Sequence, residues 1–186
     1  MPQNRKALVI GNLFGFGLGM GLGMGLGLSF VWYLGRKKSN MPVALDQFNL
    51  TQLSGNWFEL ARLDSAGGPD LMDCRIEVSQ LPQTNGQLRL VSHYRLGRLD
   101  APLESCEKRL QPTGAAGRFK LGKQPVWILE LSAEADYVLA GTPDRRHLWL
   151  LARVPELPTE RWKQISERIQ AQGFAVEQLV RTPLLA

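Results

Sequence analysis

The sequence predicts an all-β protein: an eight-stranded antiparallel up-and-down barrel with one C-terminal α-helix packed on its wall, preceded by an N-terminal transmembrane helix. Three observations carry this. Eight short runs with period-two alternation follow one another between residues 57 and 152, separated by turn-forming residues. The period changes once, to a helical one, over residues 160–171. The first and last runs are apolar on both faces, as neighbours at a closed seam beneath a helix would be.

The first forty residues stand apart from the rest. Residues 7–34 contain no charged side chain, a run longer than the roughly 20 residues that span a bilayer core. Arg5 and Lys6 precede it, and Arg36, Lys37 and Lys38 follow it. Peptide groups in hydrocarbon must pair within their own segment, so the run is expected to be helical despite its glycines. Gly11, Gly15, Gly19, Gly23 and Gly27 recur every four residues, a spacing that lets two helices approach closely and implies a homodimer contact. A cleaved signal peptide is the competing reading, but its apolar region is about 7–15 residues and ends in a small-x-small site. Here the run ends in Trp32 and Tyr33 without such a site. Residues 1–40 are therefore read as a membrane anchor and residues 41–186 as the barrel domain. Basic residues balance across the span, so they do not orient it.

Charge then excludes one class of function. The net charge is +5, and the five basic residues of the first forty supply all of it. Taking those five from the 22 Lys and Arg leaves 17, matched by the 17 Asp and Glu. A neutral body lacks the positive surplus that nucleic-acid binding draws on.

In the body the runs are 57–63, 74–81, 88–94, 106–110, 119–121, 126–131, 137–140 and 148–152. Gly67-Gly68-Pro69, Asn85-Gly86, Gly114 with Gly117, residues 122–125 and Pro143-Asp144 separate them. Asn85-Gly86 between two alternating runs is a strong hairpin signal. After Pro155 and Pro158, Thr159 reads as an N-cap, and Trp162, Ile165 and Ile169 form one apolar helical face. Gly173 stops the helix, and residues 174–180 return to alternation.

The residues also resemble a known family. Gly55-Asn56-Trp57 opening the first strand, Asp136-Tyr137 before the seventh, and Arg153 closing the eighth resemble the three sequence motifs of the lipocalins. Residues 141–155 are most similar to the branch of bacterial outer-membrane lipocalins and apolipoprotein D. The resemblance covers about residues 48–182. It implies that Trp57 sits in a closed barrel floor with the guanidinium of Arg153 across its indole, a structural role. It also implies a small hydrophobic ligand and a periplasmic barrel. Two departures are visible: the long glycine-rich run stands where a lipidated Cys is usual, and the stretch between the fifth and sixth strands is short.

No catalytic constellation emerges. His93 and His147 are both read as solvated, no nucleophile motif is present, and no metal or cofactor is implied. Cys74 and Cys106 each open a strand; they could pair in an oxidising compartment, although a strand between them would hold the sulfurs apart. Parity with Trp57 turns Glu59, Ala61 and Leu63 inward. Parity in the other strands adds Ile76, Val78, Leu88, Leu90 and Tyr94, then Trp127, Leu129, Leu139 and Trp149. Together they describe an apolar cavity with one carboxylate, suited to a fatty acid, lysophospholipid or similar amphiphile with its head at the rim or near Glu59. The function expected is binding and transport of such a ligand at a membrane, not catalysis. The alternative is an anchored interaction module whose barrel is filled by its own side chains.

Overall fold

The computed structural model describes residues 41–185 apart from 48, 65 and 66. The anchor expected over residues 1–40, with its glycine series, lies outside the described residues. Among the described residues no helix is long and apolar enough to cross a membrane.

Eight strands form in chain order: β1 (Gly55–Asp64), β2 (Leu71–Gln80), β3 (Leu88–Leu96), β4 (Glu104–Pro112), β5 (Arg118–Leu121), β6 (Gln124–Leu131), β7 (Tyr137–Gly141) and β8 (His147–Ala152). Each pairs antiparallel with the next, and β1 pairs with both β2 and β8, so the sheet closes into a barrel. Closure pairs edges that an open sheet would leave exposed. One helix follows, α1 (Thr159–Ala171), and then a two-residue strand, β9 (Val180–Arg181), which lies on β1.

Two ends differ from the sequence reading. Thr159 is the first helical residue rather than the cap; Pro158 takes the cap position and offers no side-chain hydrogen bond. Residues 174–180 do not form a full strand. Phe174 is drawn into the core beneath α1, and the chain then turns through a 3₁₀ segment, Val176–Gln178.

The apolar side chains sort into two clusters, one on each side of the sheet. Inside the barrel lie Trp57, Ile76, Val78, Leu88, Val126, Ile128, Val138 and Leu151. Between wall and helix lie Leu60, Ala61, Leu63, Leu129, Leu139, Leu148 and Leu150, packed on Ile165, Ile169 and Phe174. This double cover explains why β1, β7 and β8 are apolar on both faces. Most of α1's contribution is that burial, since each fully buried aliphatic side chain supplies about 1.5–3 kcal/mol.

Polar groups fix the helix in place. The Tyr137 hydroxyl donates to Glu130, and Arg168 from α1 donates to both, reaching the Tyr137 oxygen at 2.6 Å. The Arg161 guanidinium lies 4.9 Å from the Tyr137 ring centre and 3.5 Å from Asp136 Oδ1. Burial, with the Glu130 carboxylate second, pushes the Tyr137 hydroxyl from about 10 up to about 12. A raised folded value means stability is intact below about pH 10 and falls as pH rises toward about 12. In Tyr137→Phe that alkaline loss should be shallower, as read by urea unfolding across the range. An unchanged slope would remove Tyr137 as its source.

Candidate ligand cavity

The closed end is built first by sequence. Asn49 caps a 3₁₀ turn, Leu50–Leu53, its side chain accepting from the Thr51 amide at 3.0 Å. The turn delivers Leu53 beneath the barrel, where its carbonyl accepts the Trp57 indole N–H at 2.7 Å. Arg153 lies across the other side of that indole, its guanidinium carbon 3.5 Å from the ring centre. The same guanidinium donates to the carbonyls of Asn56 (2.9 Å), Gln52 (3.0 Å), Ser54 (2.8 Å) and Ala135 (3.3 Å). A cation over an indole face with its N–H groups satisfied in plane is a favourable arrangement. Gly55 is required here: its φ is +106°, and a Cβ would come within 2.8 Å of Arg153 Nη1. Ser132 supports the second motif, its hydroxyl donating to Asp136 and accepting the amides of Asp136 (2.9 Å) and Tyr137 (3.2 Å).

Above this floor the barrel is hollow. A cavity of about 260 Å³ is walled mainly by aliphatic side chains, with Glu59, Ser92, Tyr94 and Lys108 among its polar members. Of the residues expected to line it, Glu59, Ile76, Val78, Leu88, Leu90, Tyr94 and Trp149 do so. Ala61, Leu63, Trp127, Leu129 and Leu139 do not; they belong to the cluster between wall and helix. In β1 the cause is a bulge between Glu59 and Ala61, which reverses the inward parity, so that Arg62 pairs with cavity-lining Trp149. In β6 and β7 both faces are apolar, and the inward set is Val126, Ile128, Val138 and Ala140. Leu53, Leu110, Leu121 and Leu151 also line the hollow.

Glu59 is the one carboxylate in this lining. It is 3 % exposed, yet fully partnered. Its Oε1 accepts from Arg62 Nη1 at 2.9 Å and from the Thr182 hydroxyl at 2.9 Å, while Cys74 Sγ lies 3.8 Å from Oε2. Arg62 also donates to the carbonyls of Pro69 (2.8 Å) and Leu71 (3.4 Å), tying the β1–β2 connection to the barrel. Thr182 comes from the chain after β9, which occupies the space where β1 and β2 part. There Thr182 N donates to Leu60 O at 3.1 Å and Asp73 N to Pro183 O at 2.7 Å.

Cys74 and Cys106 both line the cavity and are unbridged, so the pairing considered from sequence does not form. Strand β3 stands between their strands, with Ser92 opposite Cys106. Burial first, and then the Glu59 charge, pushes the Cys74 thiol far above its ordinary range, which keeps it protonated and unreactive. His147 is not a free surface residue: it stacks on Trp149 at 6.0 Å and approaches Asp64 Oδ1 at 3.4 Å. His93 sits outside the cavity lining, its Nδ1 2.7 Å from Ser105 Oγ. Among the described residues no group of His, Cys, Asp and Glu could hold a metal ion.

Comparison with known proteins agrees with this geometry. The family model for a lipocalin-like domain matches residues 93–184. Temperature-induced lipocalin-1 of Arabidopsis thaliana is 24 % identical over 148 residues, covering 73 % of this chain and 78 % of that protein. The solved structure of the cockroach allergen Per a 4 superposes with a TM-score of 0.61 at 11 % identity, over 77 % of this chain and 92 % of that one. Lobster apocrustacyanin A1 does so at 0.57 and 15 % identity, over 78 % and 91 %. At such identities the structures carry the fold alone.

Proposed function

From a chain whose matches support the lipocalin family, we propose a binder and carrier of one small amphiphile, its apolar tail held in the barrel. The observation that carries this is the hollow itself: about 260 Å³ of mostly aliphatic space above a floor sealed by Trp57 and Arg153. That equals the room of about nine water molecules at roughly 30 Å³ each. A tail of about eight methylenes, at about 0.8 kcal/mol each, gains about 6 kcal/mol on leaving water. That alone corresponds to a dissociation constant of some tens of micromolar. A fatty acid or a lysophospholipid has such a tail. Against the alternative of an interaction module with a filled barrel stands that same open volume.

Binding rather than catalysis is favoured because the two histidines make no partnership with a nucleophile inside the cavity. We further read the charge-free run over residues 7–34 as a tether that holds the barrel at a membrane, facing the periplasm, with the glycine series as its self-association face. Its length and its basic flanks support that reading.

Organic extraction of the purified chain should release a lipid at near-equal stoichiometry, and added fatty acid should displace a fluorescent analogue while shifting the emission of Trp149. No extracted lipid, no displacement and unmoved emission together would leave the interaction module as the better reading.

A further inference from the structure

The barrel wall is incomplete on one side. Strand β4 is nine residues long, but β5 has only four and pairs with it over residues 110–112 alone. Over residues 104–109 β4 therefore has β3 on one edge and no strand on the other among the described residues. At about 3.3 Å per residue that free edge is roughly 20 Å long. Beside it a shallow hollow, open to the surface, is lined by Lys108, Arg109, Gln111, Leu121, Gly122 and Gln124. Lys108 and Leu121 line both hollows, so the apolar interior and the gap in the wall meet at these two side chains.

The two sides of this junction differ in the charge they leave unpaired. The interior carries the Glu59 carboxylate, already engaged by Arg62 and Thr182. The gap is lined by two cations and no acid. The neighbouring carboxylate, Glu107, is paired with Arg89 at 2.8 Å, and the charge of Arg109 also acts on it. Neither Lys108 nor Arg109 forms an ion pair of its own among the described residues. Beside Glu59 an anionic head would meet a cation, Arg62, that is already engaged, whereas at the gap it would meet two cations without ion pairs of their own.

We propose that the gap between β4 and the β5–β6 hairpin is the headgroup site, where Lys108 and Arg109 take the anionic head, carboxylate or phosphate, of a ligand whose tail lies in the barrel. This rests on the cavity being the tail site. It moves the head away from Glu59, one of the two places offered by the sequence, the other being the rim. The shortness of β5 itself, four residues beside the nine of β4, is what opens the wall.

The test uses the full chain at low salt and a pair of probes with one tail, decanoate and decan-1-ol, followed by titration calorimetry. Hydrogen bonds to a charged group contribute about 1.5–3 kcal/mol, so decanoate should bind at least about tenfold more tightly than the alcohol. That preference should shrink with added salt. In Lys108→Gln/Arg109→Gln the ratio of the two affinities should fall toward one, and in Lys108→Glu the preference should reverse. Equal affinities in the unmodified chain, or a preference that survives the double substitution, would overturn the headgroup site while leaving the tail site standing. Failure of both probes to bind would instead remove the tail site. Decyl phosphate and inorganic phosphate form a second arm. Decyl phosphate should bind far more tightly than the free ion; equal binding would assign the gap to a free anion and overturn the proposal.

Discussion

Glu59→Leu should lower the unfolding free energy by about 3–5 kcal/mol, because it strands the Arg62 guanidinium in the barrel wall. The two side chains are 3 % and 10 % exposed and 2.9 Å apart. Coulomb attraction at that depth is large, but so is the cost of drying both charges, so the intact pair is close to neutral relative to an apolar pair. Breaking it is what costs. Glu59→Leu/Arg62→Met should therefore recover most of the loss, apart from the bonds Arg62 makes to the Pro69 and Leu71 carbonyls. Urea midpoints at constant slope, arranged as a double-mutant cycle, give the coupling directly. A single substitution that costs under about 1 kcal/mol, with no coupling, would contradict a buried ion pair here.

Arg153→Ala should have the second large effect, about 3–4 kcal/mol, combining a desolvated cation–π contact with the carbonyls it leaves without a donor. Four carbonyls from two separate segments, residues 52–56 and Ala135, converge on this one side chain, so its removal loosens the floor rather than one contact. Arg153→Lys should recover little, because an ammonium cannot stack flat on the indole while bonding in plane. Thermal unfolding together with Trp57 fluorescence would follow both. Lysine restoring the full stability would show that charge alone, and not the planar fork, holds Trp57.

Much of the architecture could be read from residue order because its causes are local. Asn85-Gly86 sits in the β2–β3 connection, and Trp162, Ile165 and Ile169 set the helix face. The closed floor was expected only through the family resemblance carried by Gly55, Trp57 and Arg153; residue order alone does not lay an arginine from the end of β8 across an indole of β1. The cavity was half readable, and its misses share a cause. Alternation assigns a face only when one face is polar, and in β6 and β7 Val126, Trp127, Ile128, Val138 and Leu139 offer no such contrast. In β1 the bulge after Glu59 puts Leu60 and Ala61 on one side, so a parity carried from Trp57 fails beyond it. Two charged residues an odd number of positions apart, Glu59 and Arg62, in a run otherwise apolar from 57 to 63 were a signal for that reversal. The bond between Thr182 and Glu59 spans 123 residues and left no local trace. The gap beside β4 was legible only as a short segment, since its meaning depends on where β3 and β6 hold their neighbours.

The way β1 is shared has a consequence for synthesis on the ribosome. Its first four residues meet β2 early, but the stretch beyond Phe58 waits for β8 and β9. At about 5–20 residues per second, the interval from residue 64 to residue 152 is roughly 4–18 s. For that time Leu60, Ala61 and Leu63 lie on an uncovered edge of the nascent chain, a target for chaperones and for unwanted strand pairing with other chains.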